Sequence, residues 1–124
     1  MSLTVLLIED NEHNRYLATF LLERQGHRVV SAADGARALE IAQSVMPGII
    51  VLDIQLPGMD GYSVARALRA LPSLADVPIV AVTSYAMVGD REKVLAAGCN
   101  GYIEKPINPD TFADEIESLC SRRP

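Results

Sequence analysis

The sequence predicts an α/β domain, a parallel sheet wound with helices on both faces. Two observations predict it. Short, nearly solid apolar runs alternate along the chain with longer segments of helical period. The runs also lack the apolar–polar alternation of a sheet with one wet face, so both faces must be covered. At 124 residues the chain has the size of one domain, and 1–124 reads as a single unit with a core from about 4 to 121.

Taken in order, the first strand is Leu3–Ile8, whose β-branched and leucine content suits a central position. A helix follows in which Leu17, Phe20, Leu21 and Arg24 share one face, and Gly26 stands where a helix end wants positive φ. Asn11 and Asn14 precede that face as capping candidates. Arg28–Ser31 is a short second strand, and Asp34-Gly35 opens a second helix through Ala36–Val45 that stops before Pro47. Ile49–Leu52 is the third strand. The third helix runs from about Gly61 to Leu71 with Val64, Ala65 and Leu68 on one side. Ile79–Val82 is the fourth strand, Val88–Ala97 the fourth helix ending on Gly98, and Gly101–Ile103 the fifth strand. Asn108-Pro109 reads as a cap followed by proline at the first helical position, and Phe112, Ala113, Ile116, Leu119 and Cys120 form the apolar stripe of the fifth helix.

Bulk properties remove several function classes. A net charge of −5 opposes non-specific binding to nucleic acid, which needs lysine and arginine to displace phosphate counterions. The opening apolar run meets Glu9 and Asp10 after six residues, too soon for a membrane span or a signal peptide, so a cytoplasmic location and no membrane partner are expected. Cys99 and Cys120 lack zinc or redox spacing and read as reduced packing residues. His13 and His27 have no ligand partners at metal spacing.

The polar residues carry the functional signal by position. Glu9 and Asp10 follow the first strand, Asp53 the third, Thr83 and Ser84 the fourth, and Lys105 the fifth. Right-handed crossovers put these strand ends on one edge of a parallel sheet, where ligands of such sheets bind. Each pair of crowded carboxylates costs about 4 kcal/mol at ~4 Å and an effective dielectric of ~20. A cation relieves that cost, and an all-oxygen donor set suits Mg²⁺, which often holds phosphate too. Lys105 suits a phosphoryl oxygen, Thr83 can donate to another, and Asp53 is a candidate nucleophile able to form an aspartyl-phosphate.

Four stretches make the sequence recognisable: Val5-Leu6-Leu7-Ile8-Glu9-Asp10-Asn11, Val51-Leu52-Asp53-Ile54-Gln55-Leu56-Pro57-Gly58-Met59-Asp60-Gly61, Pro78-Ile79-Val80-Ala81-Val82-Thr83-Ser84, and Gly101-Tyr102-Ile103-Glu104-Lys105-Pro106. In this order and spacing the chain resembles the response-regulator receiver family of two-component signalling over essentially its whole length. The resemblance implies a flavodoxin-like (βα)₅ fold with strand order 2-1-3-4-5. It implies that Asp53 accepts a phosphoryl group from a histidine kinase or histidine phosphotransfer protein. Mg²⁺ would be held by Glu9, Asp10, Asp53 and the backbone carbonyl of Gln55. Thr83 and Lys105 would bind the phosphoryl oxygens, Tyr102 would be the aromatic switch that moves with Thr83, and the Lys105–Pro106 bond would be cis. A downstream protein effector is expected at the surface of the fourth helix, fifth strand and fifth helix, with no direct DNA binding. Gly58 and Gly61 read as backbone devices beside the site, and Gln55 and Tyr85 as its flanks.

Thr83-Ser84-Tyr85-Ala86-Met87 followed by Gly89-Asp90 is similar to stand-alone regulators of the DivK type. The competing reading is a receiver cut from a longer protein such as a hybrid histidine kinase. An aspartyl-phosphate hydrolase of the haloacid dehalogenase type needs a second aspartate two residues after the nucleophile, where this chain has Gln55. A nucleotide or flavin binder would want a glycine-rich phosphate loop, and none is present.

Overall fold

The computed structural model describes residues 2–56, 58–84 and 89–121. Five strands, β1 (Thr4–Ile8), β2 (Arg28–Ala32), β3 (Ile49–Asp53), β4 (Ile79–Thr83) and β5 (Gly101–Glu104), form one parallel sheet in the order 2-1-3-4-5. Five helices, α1 (Glu12–Arg24), α2 (Gly35–Val45), α3 (Gly61–Arg69), α4 (Asp90–Ala96) and α5 (Phe112–Ser121), cover it. The strand order reverses between β1 and β3, which opens a crevice at their carboxyl ends.

The solid apolar strands serve two cores at once. Leu6 and Ile8, with Ile50, Leu52, Ile79 and Ala81, face α2 and α3 residues such as Ala38, Ala42, Val64 and Leu68. Val5 and Leu7, with Ile49, Val51, Val80 and Val82, face Ala18, Leu21 and Leu22 of α1 and Phe112, Ala113 and Ile116 of α5. Neighbouring residues of one strand point to opposite faces, so one chain segment fills two layers.

Local chemistry sets the helix ends. Asn11, Asp34 and Asp60 cap α1, α2 and α3 by accepting from the backbone N–H groups of Asn14, Arg37 and Ser63. Asn14 therefore receives the α1 cap rather than providing it. The buried face of α1 is Ala18, Leu21 and Leu22, so the predicted stripe holds at Leu21 and, half-buried, at Leu17 but fails at Phe20, which is exposed with the Arg24 guanidinium 5.7 Å from its ring centroid. Asn108 caps a turn ahead of α5: its Oδ1 accepts from Asp110 N–H and its carbonyl from Thr111 and Phe112, and α5 begins at Phe112. Pro109 thus lies in the turn, not at the first helical position. α4 starts at Asp90, and Tyr85 and Val88 lie outside the described residues. A 3₁₀ turn over Pro72–Leu74, unforeseen in the sequence, follows α3.

Two polar clamps hold the edge opposite the crevice. The Arg69 guanidinium donates to the carbonyls of Gly98, Leu74, Ala75 and Val77 and to Asn100 Oδ1 at 2.7–3.1 Å. It joins the end of α3 to the segments entering β4 and β5. The buried His27 ring accepts from Leu3 N–H at Nδ1 and donates from Nε2 to Glu117 at 2.6 Å, tying α5 to the start of the sheet. Its partner is thus a carboxylate, not a metal, and the same bond holds the Glu117 carboxyl below its usual range. Cys99 and Cys120 are buried free thiols as expected, and burial pushes Cys99 up to about 11, so it stays protonated.

Gly61 opens α3 against the chain leaving β3, with its N–H on the Ile54 carbonyl. A Cβ there would stand 2.3 Å from Ile54 Cα. Gly61→Ala is therefore expected to destabilise the fold by about 1–3 kcal/mol or more, since the obstacle is backbone. Gly48→Ala, whose Cβ meets first the movable end of Leu3 at 3.3 Å, should cost far less. Urea denaturation of both variants checks the contrast.

Candidate functional site

The strand ends deliver the predicted polar residues to one crevice. Glu9 extends the β1 ladder by donating its N–H to the Ala32 carbonyl, and its carboxylate is turned back by Asn11 N–H at 3.2 Å. Asp10, next in the chain, is exposed. Asp53 ends β3 beside Val82 of β4 and is 3% exposed. Its Oδ1 accepts from Gln55 N–H at 2.9 Å, and its Oδ2 lies 3.0 Å from Lys105 Nζ. Lys105 also reaches Glu9 Oε1 at 3.6 Å. The lysine is held at its backbone, where its N–H donates to the Thr83 carbonyl at 2.8 Å, and the Lys105–Pro106 bond is cis. Thr83 ends β4 opposite Glu104 and is buried.

One carboxylate oxygen from each of Glu9, Asp10 and Asp53 lies within 4.8 Å of the others. Three acids thus face one nearby ammonium, and the imbalance is visible in Glu9. Burial, followed by the hydrogen bond to Asp53 and the repulsion of its charge, pushes the Glu9 carboxyl up to about 7, while Asn11 N–H and Lys105 pull weakly the other way. The donor set is all oxygen, compact and under-neutralised, which fits a hard divalent cation. A cavity of about 270 Å³ opens over this cluster and runs between α1 and the segment after β5, with Leu17, Ile107 and Phe112 giving it an apolar wall.

Tyr102 lies apart from the acids. It pairs with Ala81 in the sheet and is 37% exposed, on a shallow depression shared with Asp114, Glu115 and Leu119. The two glycines behave as expected of backbone devices: Gly58 has φ +77° and Gly61 permits the close approach to Ile54.

Arg15 was not foreseen at the site, and Asn14 and Ser84, both named from the sequence, take contacts it did not assign them. Arg15 donates to the Glu9 carbonyl at 2.9 Å and so fixes the turn that carries the acidic pair. Asn14 lines the cavity beside Glu9. Ser84 donates both its N–H (3.1 Å) and its hydroxyl (2.7 Å) to the side-chain oxygen of Gln55. For Arg15 the sequence held a signal: it lies four residues after the Asn11 cap, in the first turn of a helix leaving the acids. For the Gln55–Ser84 contact it held none.

A doubly wound sheet whose acids and ammonium meet at the point of strand-order reversal defines a class of α/β domain with its chemistry gathered at one rim. Comparison with known proteins gives the family. The family model described as response regulator receiver domain matches residues 5–117. The chain is 38% identical over 118 residues to the polar-differentiation response regulator DivK of Brucella ovis and of Brucella melitensis, covering 95% of this chain and 96% of theirs. Chemotaxis response regulator CheY4 of Vibrio cholerae superposes with a TM-score of 0.91 at 28% identity, over 96% of this chain and 99% of that one. The receiver domain of a sensor histidine kinase from Pseudomonas aeruginosa, with magnesium coordinated in its active-site cleft, superposes with a TM-score of 0.88 at 36% identity over 98% and 99%. The chain belongs to the response regulator receiver domain family, and the fold expected from the resemblance is the one observed.

The raised Glu9 pKa has a testable sign. The folded chain binds this proton more tightly than the unfolded chain, so the contribution favours folding below about 4.5 and is lost as pH rises through about 7. In EDTA, the wild type is expected to lose stability relative to Glu9→Gln between pH 4.5 and pH 7. Urea denaturation across that range measures the difference, and parallel curves for the two proteins would contradict the assignment.

Proposed function

We propose that this receiver is a protein-interaction switch in which Asp53 accepts a phosphoryl group from a phosphohistidine on a kinase or phosphotransfer protein. The observation that carries the reading is the placement of Asp53. It is a nearly buried carboxylate that still opens on a cavity, held on one oxygen by an ammonium and on the other by a backbone N–H.

The two contacts orient the nucleophile before any donor arrives, which removes part of the entropic barrier to attack. A new P–O bond forms at Asp53 as the P–N bond of the donor breaks, and the bonding pair stays on the departing imidazole. Lys105, 3.0 Å from the carboxylate, balances the charge carried in and afterwards pairs with a phosphoryl oxygen. Thr83, buried at the end of β4, supplies a hydroxyl for another oxygen. Glu9, Asp10, Asp53 and the Gln55 carbonyl are the residues that would hold Mg²⁺, which when bound neutralises phosphoryl charge as the transition state develops.

Tyr102 is the switch residue in this reading, since it is exposed beside α5 on the strand that Lys105 directly follows. The effector surface is then α4–β5–α5, and the net charge of −5 supports a protein effector over DNA. The match over 96% of the DivK relatives' length supports a stand-alone regulator, while the similarity to a histidine kinase receiver supports the alternative of a hybrid protein. A cytoplasmic location follows from the proposed partners, and no helix among the described residues is long and apolar enough to cross a membrane. A hydrolase of the haloacid dehalogenase type is disfavoured because the side chain of Gln55, at its acid/base position, is engaged with Ser84.

Incubation with radiolabelled acyl phosphate and Mg²⁺ is expected to label the wild type and to leave Asp53→Asn unlabelled but folded by circular dichroism. Labelling of that variant at the wild-type rate would place the acceptor elsewhere. Asp10→Ala should lower Mg²⁺ affinity at least about tenfold in a calorimetric titration, since it removes one of three charged oxygen donors. Unchanged affinity would remove Asp10 from the metal site.

A further inference from the structure

Gln55 touches the acceptor carboxylate and Ser84, the residue that follows β4, at the same time. Its backbone N–H donates to Asp53 Oδ1 at 2.9 Å. Its side-chain oxygen takes two hydrogen bonds from one residue, Ser84, whose N–H lies at 3.1 Å and whose hydroxyl lies at 2.7 Å. Ser84 directly follows the buried Thr83 at the end of β4. One residue therefore spans the mouth of the crevice from the β3 side to the β4 side.

We propose that Gln55 is a positioning residue that latches Ser84, and with it the neighbouring Thr83, in the unmodified position until the charge on Asp53 changes. The inference rests on the acceptor role proposed for Asp53. In the free carboxylate the Gln55 N–H bond is charge-assisted. Once a phosphoryl group is attached, the negative charge moves outward onto the phosphoryl oxygens, and the carboxyl oxygens accept about half as strongly. The Gln55 backbone loosens, its side chain shifts, and the hold on Ser84 weakens at the moment Thr83 must move toward a phosphoryl oxygen.

The size of the effect suits a switch. Two partly solvated hydrogen bonds to one oxygen are each of modest net strength, so together they bias a two-state loop by only about three- to thirtyfold. A bias of that size holds the resting state without locking it. The amide oxygen also suits the task chemically, because it accepts from a hydroxyl and an N–H together without adding a fourth negative charge to the acidic cluster.

The test is a titration of beryllofluoride, in excess Mg²⁺, into wild type, Gln55→Ala, Ser84→Ala and the double variant, followed by ¹H–¹⁵N spectra. Gln55→Ala keeps its backbone N–H and carbonyl and loses only the side-chain acceptor. It is expected to bind beryllofluoride about three- to tenfold more tightly than wild type, because the latch no longer has to break. Ser84→Ala should show a smaller gain, and the double variant no more than Gln55→Ala. In free Gln55→Ala the resonance of the Thr83 amide, which makes no bond to the Gln55 side chain, should lie displaced toward its position in liganded wild type, which a merely stabilising contact would not produce. Affinities equal to wild type, or losses that add in the double variant, would overturn the latch alone. Failure of wild type to bind beryllofluoride, or equal binding by Asp53→Asn, would overturn the acceptor reading and the latch with it.

Discussion

Three crowded carboxylates, two of them paired with a single ammonium, are the constraint on which the rest of this structure depends. Glu9 and Asp10 directly follow β1, Asp53 ends the adjacent β3 and Lys105 directly follows β5, and their proximity is enforced by the sheet rather than by mutual attraction. Burying acids beside one another is a standing cost, visible in the Glu9 pKa, which is raised first by burial and then by the hydrogen bond and charge of Asp53. A fold can tolerate it only with stability to spare, and here that stability lies in two apolar layers that share the same strands. The crevice is under-neutralised by construction, and the arrival of positive charge relieves it.

Seen this way, strand order is part of the chemistry. The reversal between β1 and β3 removes a crossing helix from the rim above Glu9 and Asp53 and leaves a cavity there. Each group in it is pinned through a main-chain atom: Lys105 by its N–H on the Thr83 carbonyl, Asp53 by the Gln55 N–H on its carboxylate, and the acidic turn by Arg15 on the Glu9 carbonyl. Positions set by the main chain vary little with side-chain motion, so charges can be placed close together without relying on flexible contacts.

The sheet was legible in the sequence because solid β-branched runs leave few alternatives, and each predicted strand appears within one residue or so of its place. The site was legible because residues of the right chemistry follow those runs directly. Less legible was the rotation of α1: Leu17, Ala18, Phe20, Leu21 and Leu22 offer two overlapping apolar faces, and a rule that weights large side chains prefers the one containing Phe20. The fold prefers the one containing alanine, since close packing rewards fit over size. Asn108 has the chemistry of a cap and caps a turn, and nothing local fixes how many residues pass before α5 begins. Contacts such as Gln55 with Ser84, 29 residues apart, arise only when two loops meet and leave no mark in either segment.

Arg69 gives the molecule an asymmetry of another kind. It spends its guanidinium on neutral oxygens, carbonyls and one amide, rather than on a carboxylate. Such bonds neither titrate in the acid range nor weaken much as ionic strength rises, unlike pairs of opposite charge. The floor beneath β4 and β5 is thereby insulated from the solution conditions that perturb the rim, whereas the His27–Glu117 clamp beside β1 and β2 is made of titratable groups. A change of charge at the rim can shift loops there while the ends of α3 and α4 stay anchored, so movement is confined to the side where a partner would sense it.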